Sequence, residues 1–437
     1  MTKHFGRMVM AAFALAAVVG PGAAAKDKDL ACSVVAPNVT CVMTGLDNPR
    51  GLAFGPRGAL FVAEAGRGGA IDKPCSTGGF NCYGLSGAVS RLWQGRQRRV
   101  ASGLPSLSFT QGASARGPHD IAMWSRKADP SSVLGAGGAL VTVGMEADPV
   151  TRGPLGRPDL GKLFRVPDST LYAPSSHLCE QDCYAPVVDV AAWQPVPNPD
   201  PNRESDPYGL VVDSRAQGNG EDDGEEDGDD HGEHLDDTLL VADASRNWLL
   251  RIDPQGQISR LAVFPSRFQK RSTDSVPTSV VVGPDGDYYV GELVGIPFSG
   301  PKRPPSSIYR VAAAEPHDVT VFLTGFNAII DMAFKDGDLY VLQHWTTSNV
   351  ASPPDGQLIR VGCHGQPLVC DGDRTTVIGG LDGPTSFTFS KHGILYVTNH
   401  GASRAFVGTT YTPLGEVLRV DLGTGGDDDD HGGEDEE

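Results

Sequence analysis

Beyond its first two dozen residues, this 437-residue chain contains no apolar run approaching the roughly 20 residues that cross a bilayer as a helix. It also lacks G-x-S-x-G, H-E-x-x-H, a phosphate-binding G-x-x-x-x-G-K-[ST] loop and a dinucleotide glycine pattern in context, which disfavours serine hydrolase, zincin and nucleotide-dependent chemistry. No C-x-x-C occurs, so a zinc site has little support. There is no D-x-D-x-D-G loop with a distal Glu, so no high-affinity calcium hand. No basic stripe or RNA-binding motif is present, and nucleic acid is not an expected partner.

Charge is scarce outside two places. Eleven carboxylates fall between Glu221 and Asp237 and eight between Asp427 and Glu437, with no Lys or Arg in either run. Without them the formal charge of −18 disappears and the rest of the chain is nearly neutral. Both tracts are glycine-rich and self-repelling, so residues 217–237 and 423–437 are expected to be a disordered insertion and a disordered tail. Solvation is their simplest role. The alternative is low-affinity buffering of a divalent cation, helped by His231, His234 and His431.

The N-terminus has the form of a secretory signal over residues 1–25: Lys3, His4 and Arg7, an apolar run from Met8 to Val19, then Ala23-Ala24-Ala25. An exported product, periplasmic or extracellular, with no transmembrane segment and monomeric, is the expectation. Eight cysteines suit that oxidising setting. They fall as close pairs, Cys32 with Cys41, Cys75 with Cys82, Cys179 with Cys183 and Cys363 with Cys370, and local bridges are favoured among 105 connectivities because each pair lies within one loop or short connection.

What the chain has in abundance is short strands between glycine turns, repeated six times. Inner strands open at Asn48-Pro49-Arg50, Gly117-Pro118-His119-Asp120, Asp206-Pro207-Tyr208, Val276-Pro277-Thr278, Ala328-Ile329-Ile330-Asp331 and Gly383-Pro384-Thr385. Third strands carry Arg91, Arg165, Arg251, Arg310, Arg360 and Arg419, which read as structural ion-pair or hydrogen-bond partners. Five repeats have a fourth strand and the last lacks one, while Thr40 to Leu46 stands unattached before the first repeat. These features predict an all-β, six-bladed propeller over residues 26–422, its ring closed by an N-terminal outer strand completing the C-terminal blade.

Gly45-Leu46-Asp47-Asn48-Pro49-Arg50-Gly51-Leu52-Ala53-Phe54-Gly55-Pro56, Val62-Ala63-Glu64-Ala65-Gly66, Gly103-Leu104-Pro105-Ser106-Leu107 and Gly117-Pro118-His119-Asp120 resemble the ScyD/ScyE family. Those are exported, NHL-like propeller proteins linked to extracytoplasmic biosynthesis of the pigment scytonemin. The resemblance covers almost the whole mature chain and is strongest from Gly45 to Met145. It implies a propeller and an extracytoplasmic setting, but no established catalytic residues.

Propeller topology sends the long segments, from Ala65 to Ser86, Leu104 to Gly117, Pro195 to Ser205, Val294 to Pro305, Trp345 to Asp355 and Gly401 to Pro413, to one face. At the channel mouth on that face, inner strands begin with Arg50, His119, Asp120, Tyr208, Thr278 and Thr385, and second strands end with Glu64, Asp243, Glu292, His344, Asn399 and His400. Arg50, Glu64, His119, Asp120, Tyr208, His344 and His400 are the candidate ligand-binding residues, with His119 foremost. The expected function is a binding or assembly module for a small molecule, glycan or protein partner. The alternative is a lactonase- or hydrolase-like enzyme with a divalent cation such as calcium on Glu64, Asp243, Glu292 and Asn399. A quinone-dependent sugar dehydrogenase is less favoured, since no clear cofactor-binding set appears. If the acidic tracts carry no fold, removing residues 219–233 and everything after Leu422 will leave thermal unfolding in calcium-free buffer unchanged; a large loss of stability would contradict their assignment.

Overall fold

Strands such as Thr238–Asp243 and Trp248–Ile252 are apolar on both faces rather than alternating, which requires a sheet covered on both sides. The computed structural model meets that requirement with a ring of blades. It describes residues 33, 36–69, 82–108, 115–125, 131–154, 156–174, 183–196, 203–214, 237–266, 273–295, 302–349, 355–402, 406–407, 410–411 and 414–422. The signal segment, the tail, and the acidic insertion short of Asp237 lie outside these residues.

Six four-stranded antiparallel sheets follow one another. Blade one is Pro49–Phe54, Leu60–Glu64, Cys82–Trp93 and Arg96–Ser108, and blade two Pro118–Trp124, Gly138–Val143, Leu163–Val166 and Ala185–Val188. Blade three is Pro207–Asp213, Thr238–Asp243, Trp248–Ile252 and Ile258–Val263, and blade four Pro277–Val282, Tyr288–Glu292, Ser306–Val311 and Val319–Phe326. Blade five is Ile329–Lys335, Asp338–Gln343, Gly356–Val361 and Arg374–Leu381. Blade six takes Phe387–Phe389, Leu395–Asn399 and Gly415–Val420 from the C-terminal end, and its outer strand, Val39–Leu46, from the N-terminal end. The closing strand runs antiparallel to Gly415–Val420, with Val39 opposite Val420 and Leu46 opposite Gly415.

Each seam between neighbouring blades has its own apolar core. Leu239 and Val241 face Trp124 and Leu140 of blade two, whereas Leu240 and Ala242 face Val280 and Tyr288 of blade four. The period-two alternation of a strand thus serves two cores at once. At the closing seam, Met43, Leu46 and Val417 pack on Leu52, Leu60 and Val62.

The repeated arginines brace the ring. Arg310 Nε donates to Asp287 at 2.6 Å and Arg360 Nε to Asp338 at 2.5 Å, both within their own blades. Arg91 donates to the Leu171 carbonyl at 2.7 Å and Arg251 to the Tyr288 hydroxyl at 3.1 Å, both across a seam. Of the four expected disulfides, Cys363–Cys370 is formed. Cys41, Cys82 and Cys183 are also disulfide-bonded, to partners outside the described residues. One expectation needs correction: residues 82–86 and 104–108 are strand, not loop, because the third and outer strands of blade one run on as a long hairpin with Cys82 opposite Ser108. Among the described residues no helix is long and apolar enough to cross a membrane.

Leu46 is 1% exposed in the closing seam. Leu46→Ala should lower unfolding free energy by about 2–5 kcal/mol, the usual cost of a leucine-sized core truncation, and deleting Val39 to Thr44 should lower it further and expose a sheet edge. Denaturant titration and light scattering check both; an unchanged midpoint and monodispersity in the deletion would contradict the closure.

Candidate functional site at the channel mouth

The turn that enters an inner strand must satisfy polar groups turned away from the sheet, and in five of the six blades a polar residue at the end of the second strand does so. Glu64 lies opposite Pro49, Asp243 opposite Pro207, Glu292 opposite Pro277 and Gln343 opposite Ile329. Glu64 accepts from the Asp47 N–H at 2.7 Å, Gln343 from the Asn327 N–H at 2.6 Å and Asn399 from the Asp382 N–H at 2.7 Å. In blades three and four a serine hydroxyl donates as well, Ser205 to Asp243 at 2.7 Å beside the Asp206 N–H at 2.9 Å, and Ser275 to Glu292 at 2.5 Å, whereas blade two has Val143 opposite Pro118 and no such anchor. Glu64 further accepts from Ser90 and Arg99, and Glu292 from the Ser307 N–H and the Tyr309 hydroxyl.

The four oxygen-bearing residues expected to share a cation therefore do not converge. Glu64, Asp243, Glu292 and Asn399 are each consumed within their own blade, and among the described residues no three His, Cys, Asp or Glu side chains are grouped as a metal site. Strand-end carboxylates and amides here do what they commonly do, which is to anchor neighbouring backbone.

Two residues after the proline position lies a second ring: Gly51, Asp120, Gly209, Ser279, Asp331 and Ser386. It stitches inner strands of successive blades together. Asp120 accepts from the Leu210 N–H at 2.7 Å; Asp331 accepts from Ser279 at 3.3 Å, Ser386 at 2.8 Å and the Phe387 N–H at 3.0 Å; Ser386 accepts from the Leu52 N–H at 3.2 Å. Gly51 has no room for a side chain, since a Cβ would stand 2.2 Å from Asp120 Oδ1. Burial pushes Asp331 up to about 6 against the pull of these donors, and burial and the Asp331 charge raise Asp120 as well. Asp120 is thus part of the belt inside the channel.

The position between the proline and this belt carries the side chains left over. Thr278 and Thr385 donate across seams to the carbonyls of Ile329 and Pro49, both at 2.7 Å. His119 likewise reaches the Pro207 carbonyl of the next blade, and Arg50 and Tyr208 turn to each other, but each of the three keeps a polar atom without a well-formed hydrogen bond among the described residues. Arg50, 7% exposed, donates from one terminal nitrogen to the Ala115 carbonyl at 2.9 Å, while its Nε has no partner among the described residues. His119, 3% exposed, lies against the Tyr208 ring with centroids 4.5 Å apart. Its Nδ1 and the Tyr208 hydroxyl, which sits near the Arg50 guanidinium, lack hydrogen bonds of good geometry among the described residues.

Around this trio stand Asp206, whose Oδ1 is 3.7 Å from His119 Nδ1 and accepts from the Met145 N–H at 2.8 Å, and Arg116, paired with Glu146. Gly144 leaves the space: a Cβ there would lie 2.0 Å from His119 Cε1. Burial, with Arg50 and Arg116 nearby, holds His119 well below its ordinary value. Burial pushes Asp206 up to about 7 although Arg116 pulls it down. His344 belongs to the same field. Burial lowers it to about 4, with Arg50 and Arg303 adding repulsion, and its Nδ1 contacts the Pro384 carbonyl at 2.7 Å.

Of the expected ligand-binding residues, then, Arg50, His119, Tyr208 and His344 share the mouth, Asp120 lies in the belt and Glu64 is a loop anchor. His400 is set apart, 3.0 Å from Asp382. Arg116, Asp206, Arg303 and Asp331 were not among the expected residues. Asp331 was readable in principle, because it is the repeat counterpart of Asp120; Ile329 in place of proline obscured the alignment.

No family model matches the chain, and no curated protein is significantly similar to it. Solved structures similar to it include a gluconolactonase from Xanthomonas campestris, 11% identical, with a TM-score of 0.44 over 88% of this chain and 89% of that one. The calcium structure of a carbohydrate-active enzyme of family AA12 from Trichoderma reesei is 11% identical, with a TM-score of 0.46 over 91% and 99%. A virginiamycin B lyase from Staphylococcus aureus is 12% identical, with a TM-score of 0.38 over 85% and 94%. All lie far below the similarity at which an activity could be carried across.

Asp206 titrates above the ordinary aspartate value of 3.8, so the folded state holds its proton more tightly than the unfolded state. This group's contribution is therefore most favourable below about pH 4 and is lost as pH rises through about 7. The depressed histidines act in the opposite direction, so the difference between variants is the quantity to measure. Asp206→Asn should gain stability relative to wild type as pH rises from about 4 to about 7, in denaturant titrations at several pH values. A constant or falling difference would contradict the assignment.

Proposed function

We propose that this chain is an exported binding module of the ScyD/ScyE kind that takes a small polar molecule at the mouth of its central channel. One observation supports the proposal: Arg50, His119 and Tyr208 converge there from three successive blades, and Arg50 Nε, His119 Nδ1 and the Tyr208 hydroxyl each lack a well-formed hydrogen bond among the described residues. Buried polar groups are nearly always hydrogen-bonded, so such a grouping marks a place where another molecule supplies the partners. Channel positions that serve only the ring, Thr278 and Thr385, are fully engaged by comparison. The disulfide at Cys363–Cys370 suits an oxidising compartment and with it the export signal expected over residues 1–25.

Purified protein screened by thermal shift against a panel of small polar molecules should give stabilising hits. These hits should be lost in His119→Ala and Tyr208→Phe and kept in the surface control Lys391→Ala, with all three variants folded by circular dichroism. Hits that survive both mouth variants would place the binding site elsewhere and end this proposal.

A further inference from the structure

Arg50, buried, and Arg303, half-buried, stand near the mouth with no carboxylate ion pair among the described residues. Arg50 donates to the Ala115 carbonyl, and the neutral Tyr208 hydroxyl lies beside it. Arg303, in the long loop of blade four, has an unpartnered Nε and no ion pair among the described residues, and its guanidinium lies 4.6 Å from the centre of the Trp345 ring. Burial lowers Arg303 to about 10. Arg116 shows the contrast, since Glu146 pairs with it. Removing a guanidinium from water with no counter-charge is strongly unfavourable, and an arginine fork offers five donors suited to a planar carboxylate.

Arg303 covers the Trp345 ring, which packs on His344 with centroids 4.2 Å apart, and Arg50 acts on the same His344. The carboxylates that face the same region are engaged elsewhere or held toward neutrality: Asp206 and Asp120 are pushed toward their neutral forms by burial, Glu146 is paired with Arg116, and Asp382, which also acts on His344, lies 3.0 Å from His400. Tyr208, His119 and Trp345 supply ring faces beside the cations. We propose that the molecule taken at the mouth is a small organic carboxylate, its anionic group engaged by Arg50 and Arg303 and its carbon skeleton by the neighbouring rings. This rests on the mouth being the binding site and adds the charge class of what binds there.

The test is isothermal titration of the full chain with benzoate, its neutral isostere benzamide, and inorganic phosphate. Benzoate should bind, with benzamide and Arg50→Gln or Arg303→Gln each weakening the interaction by about tenfold or more and Lys391→Ala leaving it intact. Added salt should weaken benzoate binding. Arg50→Met, which removes an uncompensated buried charge, should fold with an unchanged or higher Tm in the absence of ligand. Failure of benzoate to bind, equal binding of benzamide, tighter binding of phosphate, or indifference to both arginines would each overturn the proposal. Equal binding of benzoate and benzamide that His119→Ala abolishes would leave the mouth as the binding site while removing the anion from it.

Discussion

Every blade of this ring has two apolar faces, and neither can be buried by the blade itself. Closure is therefore the constraint on which the remaining structure depends: unless Val39–Leu46 joins the last blade, the ring has a free edge and the seam formed by Met43, Leu46 and Val417 has no neighbour. The same constraint explains why apolar residues run consecutively along second and third strands. It also explains why the repeated arginines brace strand ends and seams instead of forming a site.

Once closure holds six inner strands around an axis, adjacent positions acquire different duties. In five blades the polar residue ending the second strand anchors the incoming loop, and the residue two beyond the proline links one inner strand to the next. Between them lies one position per blade with no fixed structural task. Where that position is threonine its hydroxyl is spent on another seam contact; where it is Arg50, His119 or Tyr208 one polar atom of each remains without a well-formed hydrogen bond among the described residues. Arg303 and His344 extend the same field from neighbouring loops. The polar atoms left without partners at the mouth are thus concentrated in blades one to three, with Arg303 and His344 added from four and five.

Much of this architecture was legible in the residues. Proline-marked inner strands, glycine turns and the orphan strand before the first repeat specify six blades and the manner of closure, because each is a local signal whose repetition leaves few arrangements. The placing of Arg50, His119, Tyr208 and His344 at strand ends near the axis was legible for the same reason; what they do there was not. The duties of Glu64, Asp243, Glu292 and Asn399 were not: a carboxylate at a strand end looks the same in sequence whether it holds a metal or a backbone N–H, and only the cross-strand register decides. Asp206 and Arg303 were hidden differently. One precedes a repeat proline like an ordinary turn residue, and the other lies in a loop whose path periodicity cannot foretell. The extended hairpin of blade one escaped notice because Gly84 and Gly87 look like loop residues, yet in the fold they allow close backbone approach, a Cβ on Gly84 standing 2.0 Å from the Gly69 carbonyl oxygen.

The central claim is that an anion completes a mouth whose guanidinium groups, on Arg50 and Arg303, have no carboxylate partner among the described residues. Crystals soaked in 4-bromobenzoate and measured at the bromine absorption edge test it most directly. The account predicts an anomalous peak at the channel mouth with the carboxylate within hydrogen-bonding distance of Arg50. Well-occupied bromine sites confined to the outer surface or to the opposite face of the ring, with Arg50 untouched, would contradict it.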